Sequence, residues 1–232
     1  MAIPLISAQV AQSATGFADT IMMGRMGAET LAAGGLAAII YISIMTATSG
    51  RVMGASPLLA EAFGAGQKSR IQQIARQCLW LALLVSIPAM VITEQVDIWM
   101  LRIGQAPAIV ALADTYLNII LWSLLPMAGF TALRSTVSAL SQAQPIMVIM
   151  VVGTAFNIVA NYVLGFGKLG LPAMGLAGLA LATTLAWWGM FMALALYVLL
   201  QPTMRTYHFF QALYHPRPRI LRQLAWVGLP IG

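Results

Sequence analysis

MGLAGLALATTLAWWGMFMALALYVLL (residues 174–200) contains no charged side chain. Wound as an α-helix at about 1.5 Å per residue, the run is about 40 Å long, enough to cross the ~30 Å hydrocarbon core of a bilayer. A transmembrane β-strand would need only about 10 residues of alternating polarity. This run is continuously apolar, which favours the helix. Working outward, the same reading gives five more spans: Ala2 to Met23, Leu31 to Ala60, Ile71 to Thr93, Ala108 to Ala132 and Pro145 to Gly165. With Met174 to Leu200 they make an all-α, polytopic membrane protein built as a bundle of six transmembrane helices. The connectors GRMGAET (24–30), GAGQKSR (64–70) and GFGKLGLP (165–172) combine glycine with charge, as turns do.

Composition agrees. Of 232 residues, 60% are hydrophobic and 8% charged, whereas a soluble domain carries about 25% charged residues. An ordinary soluble enzyme and a disordered chain are both excluded. One cysteine, Cys78, cannot build a disulfide framework or a cysteine-rich metal site. The net charge of +6 does not point to nucleic acid, because the basic residues are thinly spread. No HExxH, GxSxG or P-loop pattern is present, so no enzyme and no cofactor are expected. The first apolar run has no basic lead and contains an aspartate, so it reads as a permanent helix and not a signal peptide.

Basic residues set an expected orientation. Lys68, Arg70, Arg76, Arg134, Arg205, Arg217, Arg219 and Arg222 are assigned to loops on one side; Arg25, Arg102 and Lys168 fall on the other. The richer side is expected to be cytoplasmic, with the N-terminus on it. Residues 201–223, with HPRPR at 215–219, read as a basic cytoplasmic linker, and LAWVGLPIG (224–232) as the opening of a seventh helix. GLPI near the end echoes AIPLI near the start. A six-helix lobe over residues 1–200, a linker and a fresh start imply an internal repeat, with this chain the N-lobe of a twelve-helix protein.

Inside the spans a few polar residues stand out. Asp19 follows GFA in the first helix, and a central carboxylate costs about 2.5–3.5 kcal/mol on insertion scales. It is expected to face a cavity and to undergo reversible protonation; the bland alternative is an interface carboxylate held by Arg25. Gln12, Thr15 and Gly16 lie seven, four and three residues before it, on the same helical side. Asn157 and Asn161 are four apart in the fifth span. They can bond a protonated Asp or help hold a cation whose charge a carboxylate balances. Either Thr183 or Thr184 of the sixth span can join them. Arg51, within the second span, can snorkel, approach Glu61 or reach the cavity; direct pairing with Glu61 along one helix would have to bridge about 15 Å. Pro4, Pro88 and Pro126 permit kinks.

PLISAQVAQSATGFADTIMMGRMGAETLAA (4–33), SPLLAEAFGAG (56–66), LRSTVSALSQAQPIMVI (133–149) and FNIVANYVLGFGKLGLPAMGLAGLALATTLAWW (156–188) together resemble the multidrug and toxic compound extrusion (MATE) family, in its bacterial NorM-like branch. The resemblance covers essentially the whole chain. It implies the N-lobe of a twelve-helix, two-lobe antiporter of a bacterial inner membrane. Such a protein would export cationic amphipathic drugs in exchange for H⁺ or Na⁺, with a C-terminal lobe as partner. It implies that Asp19 is the helix 1 carboxylate, Gln12 a nearby cavity position and Pro4 the bending proline. Asn157, Asn161 and Thr183 would complete the cation- and substrate-binding set, with Na⁺ at Asp19, Asn157 and Asn161. Some members carry a second carboxylate where this chain has Asn161, so the proton site here would have one. Glu61 stands where a glutamine is common and Arg51 where an apolar residue is usual. Alternatives are a lipid-linked oligosaccharide flippase of the same superfamily, which calls for a basic cavity, and a non-transporting membrane subunit.

Overall fold

The computed structural model describes the backbone of residues 2–207 and 218–228, and side chains over residues 13–207 and 220–227. The described chain is helical. Its elements are α1 (Ala2–Met26), α2 (Ala28–Met53), α3 (Ala55–Gly64), α4 (Lys68–Thr93), α5 (Val96–Arg102) and α6 (Pro107–Ile120), followed by α7 (Leu124–Ala139), α8 (Gln144–Phe166), α9 (Gly175–Leu200), α10 (Pro202–Arg205) and α11 (Pro218–Gly228).

Two of the expected spans are composite, and proline explains both. The second runs Ala28–Gly64 as α2 and α3, with Gly54 between them still in right-handed helical geometry. Pro57 has no N–H to give the carbonyl of Met53, so the ladder breaks there without a sharp change of direction. The fourth runs Pro107–Ala139 as α6, a 3₁₀ turn at Leu121–Ser123, and α7. Pro126 cannot donate to Trp122, and the tighter 3₁₀ turn absorbs the missing bond. Five helical stretches among the described residues are long and apolar enough to cross a membrane. The first expected span is the 25-residue α1.

The fourth span extends beyond the expected Ala132, which corrects one placement. Arg134 lies inside α7 and not in a loop. Arg70 and Arg76 likewise lie within α4. Arginine is a good helix former, so a basic residue near a helix end does not mark where the helix stops. Helix α5 was not expected. At the far end, α11 straddles the expected boundary between residues 223 and 224, and Leu224 is buried against the lobe.

Many large side chains point outward. Ile92 is 70% exposed, Val159 62% and Val152 61%. An apolar exterior of this kind suits lipid and not water. The interior holds two apolar clusters. One is built around Tyr41, Tyr116, Leu124 and Met127, the other around Leu59, Cys78, Phe130 and Val137, and Trp187 packs against both.

Helices α8 and α9 pack closely. A methyl at Gly178 would sit 2.7 Å from the backbone carbonyl of Leu164, so the two backbones touch where a side chain would separate them. Gly167 ends α8 in the left-handed conformation (φ 66°), and a methyl there would meet Ala173 at 2.5 Å. The loop can turn back on the helix only at glycine.

Candidate functional site

Asn157 and Asn161 fall on one side of α8 because they are a helical turn apart. That side faces α1 and α9. Asn161 is fully buried (0% exposed) and Asn157 nearly so. Asn161 Nδ2 donates to Asp19 Oδ1 at 2.5 Å and to Asn157 Oδ1 at 3.1 Å. Asn157 Nδ2 donates to Thr183 Oγ1 at 3.1 Å. Asp19, Asn161, Asn157 and Thr183 thus form one continuous string linking three helices. Asn161 Oδ1, also buried, accepts no hydrogen bond. Buried polar atoms are rarely left this way, and a bare carbonyl oxygen beside a carboxylate is a ready ligand for a cation.

The string borders a cavity of about 430 Å³. Its walls include Thr15, Gly16 and Asp19 of α1, Tyr41 of α2, Tyr116 of α6, Asn157 of α8, and Thr183 and Trp187 of α9. Asp19 is half-buried. Among the described residues the one ion pair is Arg70–Glu61 at 3.1 Å, so Arg25 does not hold Asp19. The same pair settles Glu61, which turns to α4. Arg51 donates to the carbonyl of Ala47 at 3.4 Å and lines neither this cavity nor its neighbour. Of the two threonines, Thr183 joins the string. Thr184 donates to the backbone carbonyls of Ala180 and Ile119, at 2.9 and 3.1 Å. Gln12 and Pro4 lie in α1, but their side chains are outside the described residues.

The aromatic walls were missed from sequence. Tyr41, Tyr116 and Trp187 stand in the same cavity as the carboxylate. The signal was present: tyrosine within an apolar span needs a polar partner. Tyr41 finds the Ser123 hydroxyl at 2.7 Å, while Ser123 donates onward to the Ile120 carbonyl at 2.6 Å. Aromatic faces around one acid suit a flat organic cation.

Residues 4–163 match the MatE family profile. This chain belongs to the MatE family. It is 50% identical over its full length to the "Probable multidrug resistance protein NorM" of Synechocystis, of which it covers 50%. Among solved structures it is similar to a multidrug resistance MATE family transporter of the MOP superfamily in an outward-facing conformation. The TM-score there is 0.86 at 26% identity, with 98% of this chain and 50% of that one covered. The inward-facing conformation of a multidrug resistance MATE family transporter gives TM-score 0.85 at 25% identity, covering 95% of this chain and 49% of that one. The chain therefore spans about half the length of the MatE proteins it matches, and as a bundle it resembles both conformations almost equally. The expected family and the all-α, polytopic lobe are thereby shown, and the relatives bear the names of transporters and drug-resistance proteins, not of enzymes.

Proposed function

We propose that this chain is the N-lobe of a multidrug exporter that exchanges cationic amphipathic compounds for H⁺ or Na⁺ across a bacterial inner membrane. The observation that carries the reading is the string Asp19–Asn161–Asn157–Thr183 beside an aromatic cavity. An ionised Asp19 attracts an organic cation into that cavity, where the tyrosine and tryptophan faces complement it.

The coupling ion acts on the same carboxylate. A proton on Asp19 cancels the charge that holds the drug. The Asn161 amide can then turn over, so that its unpartnered Oδ1 accepts from the protonated acid. Na⁺ would instead take oxygen ligands from Asp19, Asn157 and Asn161, with Thr183 as a fourth. In either case the ion and drug compete for one charge, and exchange follows only when each prefers a different state of the lobe. Rocking of two lobes about the site supplies the alternating access, with bending of α1 near Pro4 as the local event. The lobe's likeness to both outward- and inward-facing relatives supports its moving as a unit. The excess of arginine and lysine over residues 68–76 and 205–222 supports a cytoplasmic N-terminus and linker. No basic side chain lines the Asp19 cavity among the described residues, and Arg134 is the one on the wall of the adjoining cavity; the anionic headgroup of a flippase substrate calls for a richer basic lining than that.

The test uses the full-length protein in proteoliposomes, following ethidium under an imposed pH or Na⁺ gradient. Wild type is expected to move the dye under one of the two, and Asp19→Asn to abolish the movement. Unchanged transport in Asp19→Asn refutes the assignment of Asp19. No movement under either gradient refutes multidrug exchange and favours the flippase.

A further inference from the structure

A second cavity of about 450 Å³ adjoins the first and shares Met45, Met150 and Trp187 with it. Two helical stripes face each other across it. On α7, Thr131, Arg134, Ser135 and Ser138 fall at i, i+3, i+4 and i+7, one side of the helix. Opposite them, Ser49 of α2 and Ser56 of α3 are seven residues apart and continue one stripe across the Gly54 break.

Arg134 is the one charged residue on this wall among the described residues. Among the described residues no ion pair or hydrogen bond engages its guanidinium, nor the hydroxyls of Ser56, Ser135 and Ser138. Ser49 and Thr131 differ, since they donate to their own helix carbonyls at 2.7 and 2.9 Å. A half-buried cation within a membrane span is costly unless something pairs with it. Asp19, the acid of the adjoining cavity, is bonded to Asn161 instead.

The geometry of the donors selects the partner. A guanidinium presents parallel N–H groups that match a carboxylate edge to edge. Hydroxyls around it can donate to the remaining lone pairs. The rest of the wall, with Met53, Met127 and Phe130, accepts hydrocarbon. We propose that Arg134, Ser56, Ser135 and Ser138 form a carboxylate subsite, for an amphipathic molecule whose cationic part occupies the Asp19 cavity. The assignment rests on the cation-binding reading above.

A matched pair of dyes tests it. Rhodamine B carries a cationic ring system and a carboxylate; its ethyl ester keeps the cation and loses the acid. Binding of both to the full-length protein in detergent is read by fluorescence anisotropy. Wild type is expected to bind both. Arg134→Gln is expected to weaken rhodamine B by about tenfold or more and the ester by less than about twofold. Arg134→Lys, which keeps charge but loses the fork, falls between. Should the glutamine variant fail to fold, Arg134→Lys and the double variant Ser135→Ala, Ser138→Ala carry the test, the latter weakening rhodamine B alone by about threefold. Equal effects on both dyes, or no effect on either, overturn the subsite; either would mean that Arg134 is structural or answers a carboxylate elsewhere in the longer protein. Wild type that binds the ester but not rhodamine B also overturns it, and leaves the cation reading standing. Wild type that binds neither overturns both.

Discussion

Among the described residues each of the two adjoining cavities has a single acidic or basic residue on its wall, and the two are treated differently. Asp19 is tied to Asn161, which is tied to Asn157, which is tied to Thr183. Arg134 lines its cavity with no partner among the described residues, as do the hydroxyls of Ser56, Ser135 and Ser138. Under the proposed reading, the acid would meet a ligand by rearranging bonds that already exist, while the base would meet one by making bonds it lacks. A site that must release its ligand on a signal benefits from the first arrangement, because the internal network competes for the same oxygen. A site that only recognises a shape and charge is served by the second.

The largest effect that would break this contrast is at the acid. Asp19→Asn is expected to lower the affinity for ethidium by about tenfold to a hundredfold, as befits loss of a charge-assisted contact. Equilibrium binding to the full-length protein checks it, and unchanged affinity would mean the acid does not meet the ligand. Asn161→Leu comes next. It removes the donor shared by Asp19 and Asn157 and leaves the buried Asn157 oxygen unpaired, at a cost of about 1–3 kcal/mol. Thermal unfolding in detergent should show a lower Tm; an unchanged Tm would show that the string contributes nothing to the fold. Thr183→Val then sharpens the comparison against Thr184→Val. The first takes away the acceptor for Asn157, costing about 1 kcal/mol, and should weaken cation binding several-fold. The second removes a hydroxyl bonded to helix carbonyls and should leave cation binding within about twofold. Equal responses would deny that the string begins at Thr183. Glu61→Gln is the smallest. Its pair with Arg70 is exposed on both sides, so loss of at most about 1 kcal/mol is expected, again by thermal unfolding, with binding unaffected.

The spans and the polar string were legible in the sequence for the same reason: both depend on spacing along one helix. Continuous apolar runs marked α8 and α9, and two asparagines four residues apart inside such a run had to share a direction. What pairs across helices was less legible. Thr183 and Thr184 are neighbours in sequence, and only the rotation of α9 against α6 sends Thr184 to the Ile119 carbonyl. Arg134 was read as a loop residue because charge usually marks the end of a span. The helix continues through it, since arginine is a good helix former, and its side chain lines a cavity. The breaks at Gly54 and at Leu121–Ser123 follow from Pro57 and Pro126. Those prolines were visible, but whether each bends the path or only interrupts a bond is settled by packing.

The contact at Gly178 has a mechanical consequence. Because α8 meets α9 backbone to backbone at Leu164 and Gly178, main-chain contact limits how far the helices that carry Asn157 and Thr183 can approach each other. Those two helices act as the fixed jaw of a caliper. The bond from Asn161 to Asp19 crosses to α1, the sliding jaw of the proposed exchange. Under the proposed exchange, a displacement of α1 registers at that hydrogen bond.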